Sequence, residues 1–399
     1  MSGHTEIDPS ALGPNMWLID EMYRRFRENP ESVGTAWREF FEDFRPNLER
    51  AGRDGSGTAA PPSVSEGVSP APGAQKVPEG AERIRFGAER IVRNMQASLE
   101  IPTATSFRFI PAKLLEENRR VINGFLAQRR GGKVSFTHVI GYAILRALEA
   151  VPVMKSHYLE VDGQPHVVRP ETVNFGLAVD VEKEGGARSL LVPNIKDASD
   201  MDFAEFWRAY ESVIRKVRAN KLTPDDFRGT TVTLTNPGTI GTQLSVPRLM
   251  PKQGLIVATG RIDYPSEYQG ADSATLAELG VGKVIGVTST YDHRVIQGAE
   301  SGLFLAGLEQ LLLGGDGFYD EVFDSLEIPY QPVRWTADRG PTPRTEAADG
   351  FDEKQAAVLR LVNMYRVRGH LISNLDPLRT DKLHHPELDP QFHGLTLWD

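Results

Sequence analysis

The sequence predicts an α/β core with packed helices, flanked by helical segments and a flexible linker. Three observations predict it. Between about residues 85 and 332, apolar runs rich in β-branched residues alternate with stretches of helical periodicity. Before that core lies a segment with almost no large apolar residue. At either end the apolar residues recur at helical spacing without enough of them to close a core.

The first region covers residues 1–45. Met16, Trp17, Ile19, Tyr23 and Phe26 recur at helical spacing, and Pro30-Glu31-Ser32-Val33 then opens a second helical run with Trp37, Phe40, Phe41 and Phe44. Two short aromatic helices cannot bury a core alone, so this segment is expected to dock onto something. Residues 46–84 read as a linker. Within 51–80, eleven of thirty positions are Gly or Pro, a composition that predicts a disordered tether. The core at 85–332 contains helical patterns at Leu114–Arg130, ending at Gly131-Gly132, at Phe136–Ala150, stopping before Pro152, and at Phe203–Ala219. Strand-like runs occur at Thr172–Val181, Ser189–Ile195, Thr230–Leu234, Leu255–Gly260 and Lys283–Thr290, and a last helix at Glu300–Leu313. Residues 333–350 form a second linker. Residues 351–399 begin with an amphipathic helix at Lys354–Ile372 and finish on HGLTLWD with no turn or cap, so the chain reads as the front part of something longer.

Bulk properties narrow the function classes. A net charge of −9 argues against a protein that tracks nucleic-acid phosphates. No apolar run reaches the length of a membrane span and no signal-peptide pattern opens the chain, which makes cytoplasm the expected location and a membrane role unexpected. With no cysteine, a thiolate nucleophile is excluded and a zinc site disfavoured; His384-His385 lacks the helical spacing of a metal pair, so no metal site is expected. Gly238-Thr239-Ile240-Gly241 lacks the Lys-Ser or Lys-Thr of a phosphate loop.

The chemistry concentrates in Tyr291-Asp292-His293-Arg294-Val295-Ile296-Gln297-Gly298-Ala299. Nine histidines occur, and the commonest role of any one is structural or solvated. His293 differs in three ways: it ends an apolar strand, Asp292 and Arg294 flank it with charges able to fix an imidazole, and Gly298-Ala299 permits a tight turn into the next helix. Upstream, alternation puts Thr231, Thr233 and Thr235 on one strand face. Threonine is common there for strand propensity alone. The functional reading makes the Thr235 hydroxyl a donor to an oxyanion. Arg248, Lys252 and Arg261 are candidates for ligand phosphates, and solvated surface charge is the plainer account of each.

With those residues in view, Asn94–Leu313 resembles the catalytic core of the 2-oxo acid dehydrogenase acyltransferases. Four segments carry the resemblance in order: ASLEIPTAT at 97–105, LLVPNIKDA at 190–198, TLTNPG at 233–238 and DHRVI at 292–296. The ends extend it. WLIDEMY at 17–23 with NPESV at 29–33, and MYRVRGHL at 364–371 with LDPL at 375–378, resemble the N-terminal segment and the thiamine-dependent body of decarboxylating 2-oxoglutarate dehydrogenases. That order resembles the fused 2-oxoglutarate dehydrogenase/decarboxylases of actinobacteria.

The resemblance implies a core of the chloramphenicol acetyltransferase-like type, a mixed sheet with packed helices. It implies succinyl transfer between dihydrolipoyl and coenzyme A, with His293 as base, Thr235 as oxyanion donor, and Asp292, Arg294 and Gln297 in support. It implies a homotrimer whose sites are completed by adjacent subunits; with coenzyme A as the ligand, Arg248 and Lys252 become the candidates for its phosphates. No lipoyl domain precedes the core, so the lipoyl group is expected in trans, from a lipoyl-bearing acyltransferase working with a dihydrolipoyl dehydrogenase. Thiamine diphosphate and Mg2+ would belong to sequence beyond Asp399. The family often has Asp four residues after the histidine, where this chain has Gln297, an amide that hydrogen-bonds without charge. That departure keeps open a second role, a catalytically weak module for trimerisation and assembly of the decarboxylase. Chloramphenicol acetyltransferase shares the fold and histidine motif, and the flanking segments argue against it.

Overall fold

The computed structural model describes residues 16–43, 80–81, 87–129, 131–182, 188–335, 350–372 and 385–395. The expected tether at 51–79, most of the second linker and the last four residues lie outside them.

The described elements run α1 (Met16–Glu28), α2 (Thr35–Asp43), α3 (Gly87–Leu99), β1 (Thr103–Pro111), α4 (Lys113–Gln128) and α5 (Phe136–Ala150). Next come β2 (His157–Val161), β3 (Gln164–Val168), β4 (Phe175–Glu182), β5 (Arg188–Leu191), β6 (Asn194–Ile195), α6 (Phe203–Arg218) and β7 (Val232–Thr235). The chain continues through β8 (Leu255–Asp263), α7 (Ser273–Glu278), β9 (Val284–Asp292), α8 (Gly298–Leu312), α9 (Phe318–Ser325) and α10 (Gly350–Arg368). The run read as one strand at Ser189–Ile195 is two, because Val192-Pro193 interrupts the ladder and a proline nitrogen cannot donate to it.

Seven strands form one sheet in the order β1-β9-β8-β7-β4-β5, with β6 also paired to β4. The central pairs β4/β7 and β7/β8 are parallel and the flanking ones antiparallel. Its two faces differ in chemistry. Ile110, Phe175, Leu177, Val232, Leu234, Leu255, Val257, Ile285 and Val287 point to one side, where they pack with α4, α5, α6, α8 and α9 as one core. The other face carries hydroxyls: Thr105 and Thr290 share a hydrogen bond of 2.8 Å, Thr233 donates to Gln253 Oε1 at 3.1 Å, and Thr288 donates to the Ser245 carbonyl at 2.7 Å. The connection from β7 to β8 crosses this second face as a segment without an α-helix. It lies so close that a Cβ on Gly260 would meet the Gln243 carbonyl oxygen at 1.7 Å.

The N-terminal helices dock on their own chain. Leu18, Ile19, Met22, Val33, Trp37, Phe40 and Phe41 cluster with Leu191, Val217, Leu222 and Phe227 of the core. The Trp37 indole N–H donates to the Leu222 carbonyl at 2.8 Å. The Arg228 guanidinium sits 5.7 Å from the Phe40 ring centroid, a cation on an aromatic face. Each such fully buried side chain contributes about 2 kcal/mol, which explains why two helices without a core of their own stay attached. At the other end α10 is not isolated: Ala357 is buried, as are Leu388 and Leu395 of the turns at 386–395, and Arg368 pairs with Glu387.

One capping device has a pH consequence. The Ser135 hydroxyl oxygen caps α5 by accepting the His138 backbone N–H at 3.3 Å, and His138 Nδ1 accepts the Ser135 N–H at 3.1 Å. Nε2 of the ring lies 3.2 Å from Glu211 Oε1, and the ring packs edge-on against Tyr210. An Nδ1 that accepts fixes the neutral tautomer with its proton on Nε2, and burial pushes the pKa of His138 down to about 4. Because the folded pKa lies below the unfolded value near 6.5, the unfolded chain binds the extra proton. Stability is therefore complete above about pH 6.5 and falls as pH drops towards 4, by at most about 3 kcal/mol from this group. Urea midpoints measured between about pH 7 and 4.5 should fall in the wild type and flatten in His138→Gln; equal slopes in both proteins would refute the assignment.

Candidate functional site

His293 sits at the carboxyl end of β9, exposed, in a turn whose backbone is fixed from several sides. Its N–H donates to the Pro102 carbonyl at 2.9 Å, immediately before β1. The Asp292 carbonyl accepts from Val295 and Ile296 at 3.2 and 3.0 Å, which closes the turn. The imidazole packs edge-on to the buried Tyr291 ring, 5.6 Å between centroids.

Asp292 and Arg294 form one unit. The Asp292 side chain is buried, and its Oδ1 accepts the Arg294 backbone N–H at 3.1 Å and the Nε–H at 2.9 Å, while Oδ2 accepts from Nη2 at 2.7 Å. This fork-to-carboxylate pairing raises the Arg294 pKa further above its already high value. Gly254 links this end of β9 to the start of the β2–β3 hairpin. Its carbonyl accepts the Asp292 N–H at 3.1 Å. A Cβ on it would stand 2.0 Å from the Ser156 carbonyl oxygen, so only glycine lets the three segments meet. Gln297 is the N-cap of α8 and is exposed; its backbone N–H donates to Glu300 Oε2 at 2.6 Å.

Thr235 ends β7 on the hydroxyl-bearing face, half-exposed, followed by Asn236, whose amide donates to Thr137 Oγ1 at 2.8 Å. Thr231 and Thr233 spend their hydroxyls on Asn174 and Gln253, whereas the Thr235 hydroxyl has no partner among the described residues. Register separates it from the histidine. Thr235 lies opposite Ala258, and Ala258 opposite Thr288, five residues before His293. Two strand spacings across and five residues along put the two positions about 20 Å apart in one chain. Arg248 and Lys252 are both exposed, and Lys252 lies near His157, at the His293 end. Burial, with Lys252 adding to it, keeps His157 neutral below its usual range. Arg261 is on β8, paired with Asp263 at 2.6 Å. Tyr291 and Pro102, which fall inside the motif segments, and Tyr158, which no motif singles out in sequence, belong to the surroundings of His293.

Residues 79–314 match the family described as 2-oxoacid dehydrogenases acyltransferase (catalytic domain), and residues 8–48 match 2-oxoglutarate dehydrogenase N-terminus. The chain belongs to the 2-oxoacid dehydrogenase acyltransferase family. Among solved structures, a probable dihydrolipoamide acetyltransferase from Listeria monocytogenes has a TM-score of 0.50 at 22% identity, covering 58% of this chain and 94% of that one. The cubic core of the pyruvate dehydrogenase multienzyme complex has a TM-score of 0.50 at 24% identity, covering 61% and 97%. These likenesses establish the fold, and the mixed sheet with packed helices is the one expected.

Over its whole length the chain is similar to proteins named multifunctional 2-oxoglutarate metabolism enzyme. That of Mycolicibacterium vanbaalenii is 46% identical over 98% of this chain and 34% of its own length; that of Mycobacterium sp. (strain JLS) is 44% identical over 98% and 35%. The resemblance to the fused class is thereby borne out. The chain spans about a third of the length of these relatives. No helix among the described residues is long and apolar enough to cross a membrane.

Proposed function

We propose that this chain carries a dihydrolipoyl succinyltransferase core, exchanging a succinyl group between dihydrolipoyl and coenzyme A. The observation that carries the reading is an exposed histidine held in a braced turn, in a chain that belongs to an acyltransferase family. The succinyl assignment follows from the relatives' name, because removing carbon dioxide from 2-oxoglutarate leaves a four-carbon acyl group that retains one carboxylate.

In this reading the neutral His293 imidazole takes the proton of the attacking thiol, and the thiolate adds to the thioester carbonyl. The oxyanion accepts a hydrogen bond from the Thr235 hydroxyl; collapse expels the other thiolate, which recovers the proton. The roughly 20 Å between the two residues within one chain means that each site needs His293 from one subunit and Thr235 from another. A trimer supplies that. Exposed Phe107 and Phe109 on the edge strand, with Ile240 and Val246 of the β7–β8 connection, give the second face an apolar surface for it. Lys252, at the His293 end, and Arg248 are the candidates for coenzyme A phosphates. The residue boundaries given above are the proposed domains. The lipoyl group is supplied by a lipoyl-bearing acyltransferase that works with a dihydrolipoyl dehydrogenase, in the cytoplasm. Decarboxylation of 2-oxoglutarate, with thiamine diphosphate and Mg2+, is assigned to a longer protein of which this sequence forms part.

The assembly-module reading retains one observation in its favour. Gln297, where the family often has an acid, caps α8 with its backbone committed to Glu300. Incubating the chain with succinyl-CoA and dihydrolipoamide distinguishes the two. Steady release of free coenzyme A with formation of succinyl-dihydrolipoamide is expected, faster than with acetyl-CoA. Faster turnover of acetyl-CoA would overturn the acyl assignment, and no turnover with either would favour the assembly role.

A further inference from the structure

The β2–β3 hairpin stands apart from the main sheet as its own two-stranded unit, yet one of its side chains reaches the histidine turn. Tyr158 lays its ring over the Arg294 guanidinium, with Cζ 3.8 Å from the ring centroid. That guanidinium is the one whose Nε and Nη2 grip both oxygens of Asp292. The Tyr158 hydroxyl is used elsewhere, donating to Glu160 at 3.2 Å, so the contact with Arg294 is made by the ring face alone. A planar cation on an aromatic face is a stack that lysine cannot reproduce and phenylalanine can.

We infer that Tyr158 is a positioning residue for acyl transfer: its ring clamps Arg294 onto Asp292, and that clamp holds the turn presenting His293. The inference rests on the reading of His293 as the base. The histidine itself is exposed, and its ring has the single aromatic contact with Tyr291 among the described residues, so its aim depends on the backbone between Asp292 and Ile296. Besides the hydrogen bond to Pro102 and the turn closed on the Asp292 carbonyl by the Val295 and Ile296 N–H groups, two ties set that backbone: the Gly254 carbonyl on the Asp292 N–H, and the Asp292 carboxylate on the Arg294 backbone and side chain. The second depends on Arg294 keeping its guanidinium in one plane. Arg294 is exposed to solvent on the sides that Tyr158 and Asp292 leave open, and without the ring it has a water-filled alternative to the bidentate pose. Misplacing a reacting group by about an ångström costs on the order of a hundredfold in rate.

The test uses the whole chain and four variants: Tyr158→Ala, Tyr158→Phe, Arg294→Lys and the double variant Tyr158→Ala/Arg294→Lys. Tyr158→Ala should lower kcat about ten- to a hundredfold while KM for coenzyme A stays within about twofold, because the clamp orients the base without touching substrate. Tyr158→Phe should restore wild-type kcat. Arg294→Lys should resemble Tyr158→Ala, and the double variant should be no worse than the worse single one, as expected for two groups in one unit. Unchanged kcat in Tyr158→Ala, a Phe variant as impaired as the Ala variant, or strictly multiplicative losses in the double variant would each overturn the inference. Failure of the underlying reading has a different signature: His293→Ala would itself retain turnover.

Discussion

His293→Ala is expected to lose succinyl transfer by about 10²- to 10⁴-fold, the range over which a positioned general base contributes. A thiol ionises little at neutral pH, so without the imidazole the reaction waits for the rare thiolate formed in solution. The loss should appear in kcat with coenzyme A still bound, since the imidazole is needed most where the proton leaves. Structure should be spared. The side chain is exposed, and the hydrogen bond that anchors the residue, to the Pro102 carbonyl, is made by the backbone. A thermal midpoint close to the wild type would confirm that chemistry alone was removed. Turnover equal to the wild type would take His293 out of the mechanism and assign the proton transfer to another group.

How much of this is readable beforehand depends on whether the signal is local. The helix at Phe136–Ala150 is observed at the bounds its pattern predicts, because Ser135 caps it and Pro152 stops it, both close to it in sequence. The strand before His293 is legible as the apolar run Val284–Val287 continued by Thr288-Ser289-Thr290 into a polar turn. β1 is harder. As an edge strand it turns Phe107 and Phe109 outward and Arg108 towards α8, where it pairs with Glu309, the reverse of what alternation leads one to expect. The β2–β3 hairpin does have a signal in Asp162-Gly163. Their φ values of 51° and 72° are those of a tight hairpin turn. Its strands are exposed or half-buried throughout, so nothing else marks them out. Tyr158 is illegible for a related reason: its partner lies far along the chain. The distance between Thr235 and His293 is also invisible in sequence, since it depends on pairings that only the folded sheet sets.

That distance yields the sharpest expected result. Thr235→Ala alone should cost about 3 kcal/mol of transition-state stabilisation, or roughly a hundredfold, as for loss of one oxyanion donor. Mixed with His293→Ala under conditions that let subunits exchange, the two nearly inactive variants should recover activity. If each site takes its histidine from one subunit and its threonine from a neighbour, random exchange of equal amounts makes about a quarter of sites wild-type. The Thr235→Ala subunit supplies His293 and the His293→Ala subunit supplies Thr235. If instead one chain supplied both residues, no mixture could contain an intact site and activity would stay at the average of the two parent variants. The register argues for recovery, because strand spacing and rise leave about 20 Å between the two positions, several times the length of a hydrogen bond. Activity rising towards a quarter of wild type as subunits exchange would place the catalytic chemistry between subunits. Its absence, with exchange confirmed by a mass tag on one variant, would remove Thr235 or the shared site from the mechanism.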